Sequence, residues 1–313
     1  MAHHIPSSAL PHPGSQVHGR SLATALLLAL RPGQWTKNLL VFAGLIFGQK
    51  LLIPTDVATA AAAFGLFCLF SGVVYLVNDI QDCDADRHHP AKSRRPIASG
   101  AISIRAAWIY AAILAIVALT GAYALDPAFF QVGFAYMGVM VGYSIWLKHS
   151  PVIDVLVIAF GFVLRALAGS VVLHVEFSRW LLVLTLLLAL FLATAKRRAE
   201  YVALADGAAH HRPSLEHYSL PMLDQMLSVV MACTLLAYAF YTMSPETVTK
   251  FGTDHLLMTF PLPIYGLFRY LYLIHRGVAG GNPSELLLTD RPLQLCVVAW
   301  GALVAAIIYG PLK

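Results

Sequence analysis

Charge is scarce in this sequence: only 12% of its 313 residues are Asp, Glu, Lys or Arg, against roughly 25% in a soluble domain. That scarcity excludes an ordinary soluble enzyme. With 58% hydrophobic residues and a mean hydropathy of +0.71, more apolar side chain is present than a water-facing globule buries. The composition is too apolar for a disordered chain, and the ten-residue alternating runs of an outer-membrane barrel are missing. Cysteine is scarce too. Cys68, Cys83, Cys233 and Cys296 are far apart and form no CxxC pair, so they read as packing residues rather than a zinc or disulfide framework. The net charge of +5 comes with no nucleic-acid motif, so no nucleic-acid partner is expected. What the sequence has in abundance is long apolar runs, and the fold class they imply is an all-α, polytopic membrane protein.

Residues 1–20 carry Pro, Ser, Gly and His3, His4, His12 and His18 without periodicity, and are expected to form a disordered tail. Residues 21–313 are expected to form one membrane domain. About nine runs approach the 20 or so residues that cross a bilayer. They are Asn38–Ile53, Val57–Asn78, Ile102–Leu125, Phe129–Leu147, Val152–Leu173, Trp180–Ala195, Ser219–Met243, His255–Ile274 and Pro292–Tyr309. The first and sixth are short. The run LATALLLAL before Arg31 either extends the first span or lies along the interface.

Fifteen of the 21 Lys and Arg residues fall in one set of connections, and only Lys50, Arg179, Lys250 and Lys313 fall in the other. The positive-inside rule puts the larger set in the cytoplasm, as in an inner (cytoplasmic) membrane protein. Parity then puts Lys37, Asp79 and Lys196 at one cytoplasmic mouth. The two longest connections follow spans two and six, which divides spans two to nine into two four-helix halves.

The densest chemistry is Asn78-Asp79-Ile80-Gln81-Asp82-Cys83-Asp84-Ala85-Asp86. On a continuous helix Asn78, Asp82 and Asp86 share a face, with Asp79 beside Asp82. Such a stripe repels itself and opposes the helix dipole at a C-terminus. Oxygen donors of this kind suit Mg²⁺ with phosphate oxygens completing its shell. The basic run Lys92-Ser93-Arg94-Arg95 follows, in reach of a metal-bridged diphosphate.

NDIQDCDADRHHPAKSRRPIASG resembles the NDxxDxxxD motif, with its basic continuation, of the UbiA superfamily of intramembrane prenyltransferases. The resemblance implies a nine-helix fold and Mg²⁺ held by Asn78, Asp79, Asp82 and Asp86. Where many relatives carry a second aspartate motif after span six, this chain has Lys196-Arg197-Arg198-Ala199-Glu200-Tyr201. Cations there suit a substrate with more phosphate to neutralise. KRRAEY, RPSLEHYS, RPGQWTKN and YSIWLKH together resemble the decaprenyl-phosphate phosphoribosyltransferase branch. That branch moves 5-phosphoribose from phosphoribosyl diphosphate (PRPP) to a polyprenyl phosphate and releases diphosphate.

By this resemblance Asp79, Asp82, Lys196 and Glu200 are candidate catalytic residues. Lys37, Tyr75, Lys92, Arg95, Tyr143, Lys148, Arg165, Lys196 and Arg197 are candidates for substrate binding. The alternative for each cation is a topology anchor alone, and Glu200 either accepts a sugar hydroxyl or pairs with Lys196 four residues earlier. Arg165, deep in span five, costs at least ~2.5 kcal/mol on insertion scales. A cavity role is favoured for it over an interhelical pair. Gly161 and Gly169 permit close helix packing, within the chain or in a homo-oligomer. Asp290 and Arg291 either join the site or stabilise its mouth. The alternative activity is prenyl transfer from an allylic diphosphate to an aromatic or other acceptor; the alternative without turnover is a transporter or lipid-binding protein.

Overall fold

Short polar caps and first-turn prolines mark where the apolar runs become helices. Ser103, Asp126, Ser219 and Asp290 each accept a backbone N–H three residues on, at the starts of four long helices. The computed structural model describes residues 21–89, 92–176, 178–205, 213–276, 286 and 289–310. The expected tail with its four histidines, Arg212 and Lys313 lie outside the described residues.

The chain begins with α1 (Leu22–Ala29), a 3₁₀ segment (Pro32–Phe42) and α2 (Ala43–Phe47). There follow α3 (Pro54–Gln81), α4 (Cys83–His88), α5 (Ile104–Leu125), α6 (Pro127–Ile145), α7 (Ile153–Val172) and α8 (Arg179–Ala205). The last elements are α9 (Leu220–Met243), α10 (Pro245–Phe251), α11 (Pro261–His275) and α12 (Arg291–Tyr309). Among the described residues, eight helical segments are long and apolar enough to cross a membrane, and the protein is a multi-pass membrane protein.

The first expected span is not a regular helix. Its 3₁₀ segment of 11 residues and the 5 of α2 extend about 30 Å at 2.0 and 1.5 Å per residue, enough for one bilayer core. Arg31 at its start bonds Asp79, while Lys50 just beyond its end pairs with Asp56 at 3.3 Å, so it runs the length of α3. Gly44 and Gly169 make that close approach possible. A Cβ on Gly169 would lie 1.8 Å from the Val41 carbonyl oxygen. Gly169 is thus used inside the chain, against the 3₁₀ segment.

The two halves have separate cores. Val41, Leu45, Phe67, Phe70, Phe129, Tyr136, Leu164 and Val172 form one cluster, and Phe191, Leu227, Tyr270 and Leu293 form another. Besides the α7–α8 contact, the seam includes Tyr309, whose hydroxyl donates to the Ile46 carbonyl at 2.7 Å. Lys50 and Lys250 lie at this far end, linked through Gln49 and the Lys250 carbonyl at 3.4 Å. The sixth span is longer than expected: α8 has 27 residues and carries the KRRAEY motif as helix. Ion pairs from Arg197 and Arg198 compensate its polar end, which an apolar-run criterion had cut at Ala195.

Candidate active site

The acidic motif sits where α3 stops. Asp82 has φ −91° and ψ 5°, which breaks the expected continuous helix, although the Asp86 amide still donates to the Asp82 carbonyl at 2.8 Å. Like charges on one uninterrupted face repel, and the bend gives the carboxylates different neighbours. Asp79 and Asp86 are buried, Asp82 is half-buried, and exposed Asp84 pairs with Arg87 at 2.9 Å.

Cations from three other segments converge on these carboxylates. Arg31 bonds Asp79 Oδ1 and stacks its guanidinium 4.8 Å from the Tyr75 ring centroid. Arg31 itself is left-handed, at φ 51°, which turns the chain from α1 into the 3₁₀ segment. Arg95 Nη1 donates to Asp79 at 3.1 Å and to Asp86 at 2.5 Å. Lys148 Nζ donates to Asp82 Oδ1 at 2.5 Å, while Asn78 Nδ2 donates to Asp82 Oδ2 at 3.0 Å. Lys37 lies within electrostatic reach of Lys196, Arg165 and Arg31. Lys92 stands exposed at the head of the short 3₁₀ turn Lys92–Arg94.

The second motif differs from expectation in one respect. Arg197 is fully buried rather than presented to a substrate. It donates to Asp154 at 2.6 Å, to Glu200 at 2.6 Å and to the Tyr143 hydroxyl at 3.3 Å. Asp154, also fully buried, further accepts from the Tyr218 hydroxyl at 2.8 Å and Ser214 at 3.3 Å. Tyr218 lies outside the spans. Burial, ahead of its bonding to Asp154, pushes its phenol up to about 12, so it is a donor at neutral pH. Arg198 donates to Asp224 at 2.5 Å. Lys196 is the most exposed cation of the motif, with its Nζ 3.8 Å from Glu200. Both Glu200 oxygens thus face cations, which is the pairing alternative for that residue.

Arg165 also departs from expectation. Rather than facing a water-filled cavity it is 4% exposed. It donates to Asn38 at 2.8 Å, the Gly161 carbonyl at 2.9 Å and the Tyr136 hydroxyl at 2.6 Å. Three acceptors and the Tyr136 ring, 4.7 Å away, offset its burial. It clamps the 3₁₀ segment, α6 and α7 together. Asp290 is likewise structural: it caps α12 through the Leu293 amide and pairs with Arg269 at 2.8 Å.

The carboxylates of Asp79, Asp82 and Asp86 and the amide oxygen of Asn78 are donors of the type Mg²⁺ takes. Among the described residues, however, no group of three or more His, Cys, Asp or Glu is arranged to hold a metal. The carboxylates are turned to Arg31, Arg95 and Lys148. Sequence reasoning missed Arg31 and Asp154 as partners. Asp154 carried a usable signal, since a carboxylate in the first turn of an apolar span demands a partner; nothing local announced the Arg31–Asp79 contact.

Comparison with known proteins identifies the family. A model of the UbiA prenyltransferase family matches residues 38–284. The decaprenyl-phosphate phosphoribosyltransferase of Mycolicibacterium smegmatis is 33% identical over 98% of this chain and 99% of its own length. That of Corynebacterium glutamicum is 35% identical over 93% of this chain and 88% of its own. Among solved structures, a UbiA homolog from Archaeoglobus fulgidus bound to GPP and Mg²⁺ has TM-score 0.67 at 23% identity, covering 91% of this chain and 96% of that one. The family match over residues 38–284 and the near full-length relatives together establish that the chain belongs to the UbiA prenyltransferase family.

Proposed function

We propose that this protein transfers 5-phosphoribose from PRPP to a polyprenyl phosphate of decaprenyl type, releasing diphosphate, at the cytoplasmic face of an inner membrane. The observation that carries the reading is the convergence of cations from three other segments on the carboxylate motif. Arg31, Arg95 and Lys148 are paired with it, and the half-exposed Lys196 lies within electrostatic reach of Lys37. Two phosphorylated substrates match that charge better than one allylic diphosphate and a neutral aromatic acceptor. Relatives of this name along nearly the whole chain support the choice, and the uneven distribution of cations supports the orientation.

In the reaction the bond from ribose C1 to the diphosphate oxygen breaks, and an acceptor phosphate oxygen forms the new bond to C1. Asn78, Asp79, Asp82 and Asp86 would hold Mg²⁺, which when bound neutralises charge on the leaving diphosphate. Arg31, Arg95 and Lys148 exchange carboxylate partners for phosphate oxygens, so positive charge is already in place as the leaving group ionises. The acceptor phosphate is ionised at neutral pH. No strong general base is therefore needed, and Lys37 and Lys196 orient the two anions and lower their mutual repulsion.

Offering purified protein PRPP or an allylic diphosphate, each with a polyprenyl phosphate and an aromatic acid, tests the assignment by product mass. A pentose-phosphate adduct of the lipid is expected. A prenylated aromatic acid formed only from the allylic donor would replace this reading with the alternative one.

A further inference from the structure

The buried Asp154–Arg197 pair lies behind the site without facing it. Both side chains are fully buried, and their bonds reach α6 through Tyr143 and the segment after α8 through Ser214 and Tyr218. The Tyr218 hydroxyl also accepts the Val152 amide at 2.6 Å, at a β-branched residue held at φ 65°. That backbone conformation is unfavourable for valine and persists because the network fixes it. One member of the network reaches outward. Glu200 takes 2.6 Å from Arg197 on one oxygen and stands 3.8 Å from Lys196 on the other.

We propose that Asp154 is a positioning residue: by sharing Arg197 with Glu200 it leaves Glu200 available to Lys196, and so sets the orientation and charge environment of that site-facing lysine. Arg197 has two carboxylate partners, one buried and one half-buried. Neutralising Asp154 leaves a buried guanidinium that draws Glu200 fully toward itself and repels Lys196. The inference rests on the functional reading only for the identity of the substrate.

The test reads Lys196 directly. Full-length protein in detergent is pulsed with an isotope-coded amine-acylating reagent near pH 8, and the Lys196 peptide is quantified by mass spectrometry. A neighbouring carboxylate slows acylation by keeping the amine protonated. Asp154→Asn and Glu200→Gln are expected to speed labelling of Lys196 at least threefold, and Asp154→Glu to restore the wild-type rate. Tyr218→Phe keeps the ion pair and should label as wild type. If Asp154→Asn does not fold, the apolar exchange Asp154→Leu/Arg197→Met serves instead, since buried ion pairs are often replaceable in this way. It frees Glu200 for Lys196 and should slow labelling below wild type.

Unchanged labelling in Asp154→Asn and Glu200→Gln, faster labelling in the apolar exchange, or an equal rise in Tyr218→Phe would overturn the inference, the last by revealing general loosening. In transfer assays Asp154→Asn should raise KM for phosphorylated substrate about tenfold with kcat within threefold. Combining it with Lys196→Ala should add no further loss, because both act through one amine. A wild-type protein that does not use PRPP would defeat the functional reading alone, and the labelling order would still decide this one.

Discussion

Arg95 bridges Asp79 and Asp86, placing one guanidinium nitrogen 3.1 Å from the first carboxylate and 2.5 Å from the second. Arg95 follows Asp86 by nine positions in the chain. One guanidinium thereby balances charge on two buried carboxylates at once.

Arg95→Gln should therefore leave Asp79 and Asp86 short of positive charge. Losing one partner of a buried pair costs about 3–5 kcal/mol, less where the partner is part-exposed as here. The melting temperature should fall by several degrees, and added Mg²⁺ should recover more of that loss than it adds to wild type. Scanning calorimetry with and without Mg²⁺ checks this; equal shifts in both proteins would contradict the bridge's role.

Arg165 gives the opposite kind of prediction. Because its donors are satisfied by Asn38, Gly161 and Tyr136, Arg165→Lys should cost about 2–4 kcal/mol of stability through lost charge-assisted bonds. KM for PRPP should stay within about twofold, by initial-rate kinetics below the new melting temperature. A tenfold rise in KM with unchanged stability would return Arg165 to the substrate site.

Gly169→Ala introduces a methyl group that meets the Val41 backbone, whereas a Cβ on Gly138 meets nothing within 4 Å. The first substitution should destabilise the protein by about 1–3 kcal/mol or more, and Gly138→Ala should be neutral. Thermal unfolding of the two variants in the same detergent decides it, and equal stability would mean the 3₁₀ segment does not pack there.

Tyr218 supplies a pH dependence. Its phenol is raised to about 12 by burial and by Asp154, so the folded state holds its proton more tightly than the unfolded chain, whose tyrosine titrates near 10. Its contribution is fully present below about pH 10 and is lost as pH rises toward 12. Tyr218→Phe should flatten the alkaline fall in stability over that window relative to wild type. Parallel curves for the two proteins would show that Tyr218 is not held as described.

Much of this was legible in the sequence because lipid forces it. Spans such as Ile104–Leu125 and Arg291–Tyr309 declare themselves by length and hydropathy, and the Asn78 to Asp86 motif by unusual charge density at a helix end. Three things were not legible. The irregular Pro32–Phe42 segment depends on glycine contacts with α7 that no local pattern encodes. The true end of α8 depends on Asp154 and Asp224, distant in sequence, neutralising its arginines. Arg165 and Arg197 look identical to substrate-binding cations until their acceptors are known, because isolated intramembrane charge signals function and structure alike.

The central claim is phosphoribosyl transfer at the Asp79–Asp82–Asp86 end of α3 and α4. The most direct measurement combines purified protein in detergent, Mg²⁺, a polyprenyl phosphate and PRPP labelled in the ribose, with label followed into the organic phase. The account predicts lipid-phase label that disappears with EDTA and in a folded Asp82→Asn variant. Label transferred equally well by Asp82→Asn, or none transferred by folded wild-type protein across several lipid lengths, would contradict it.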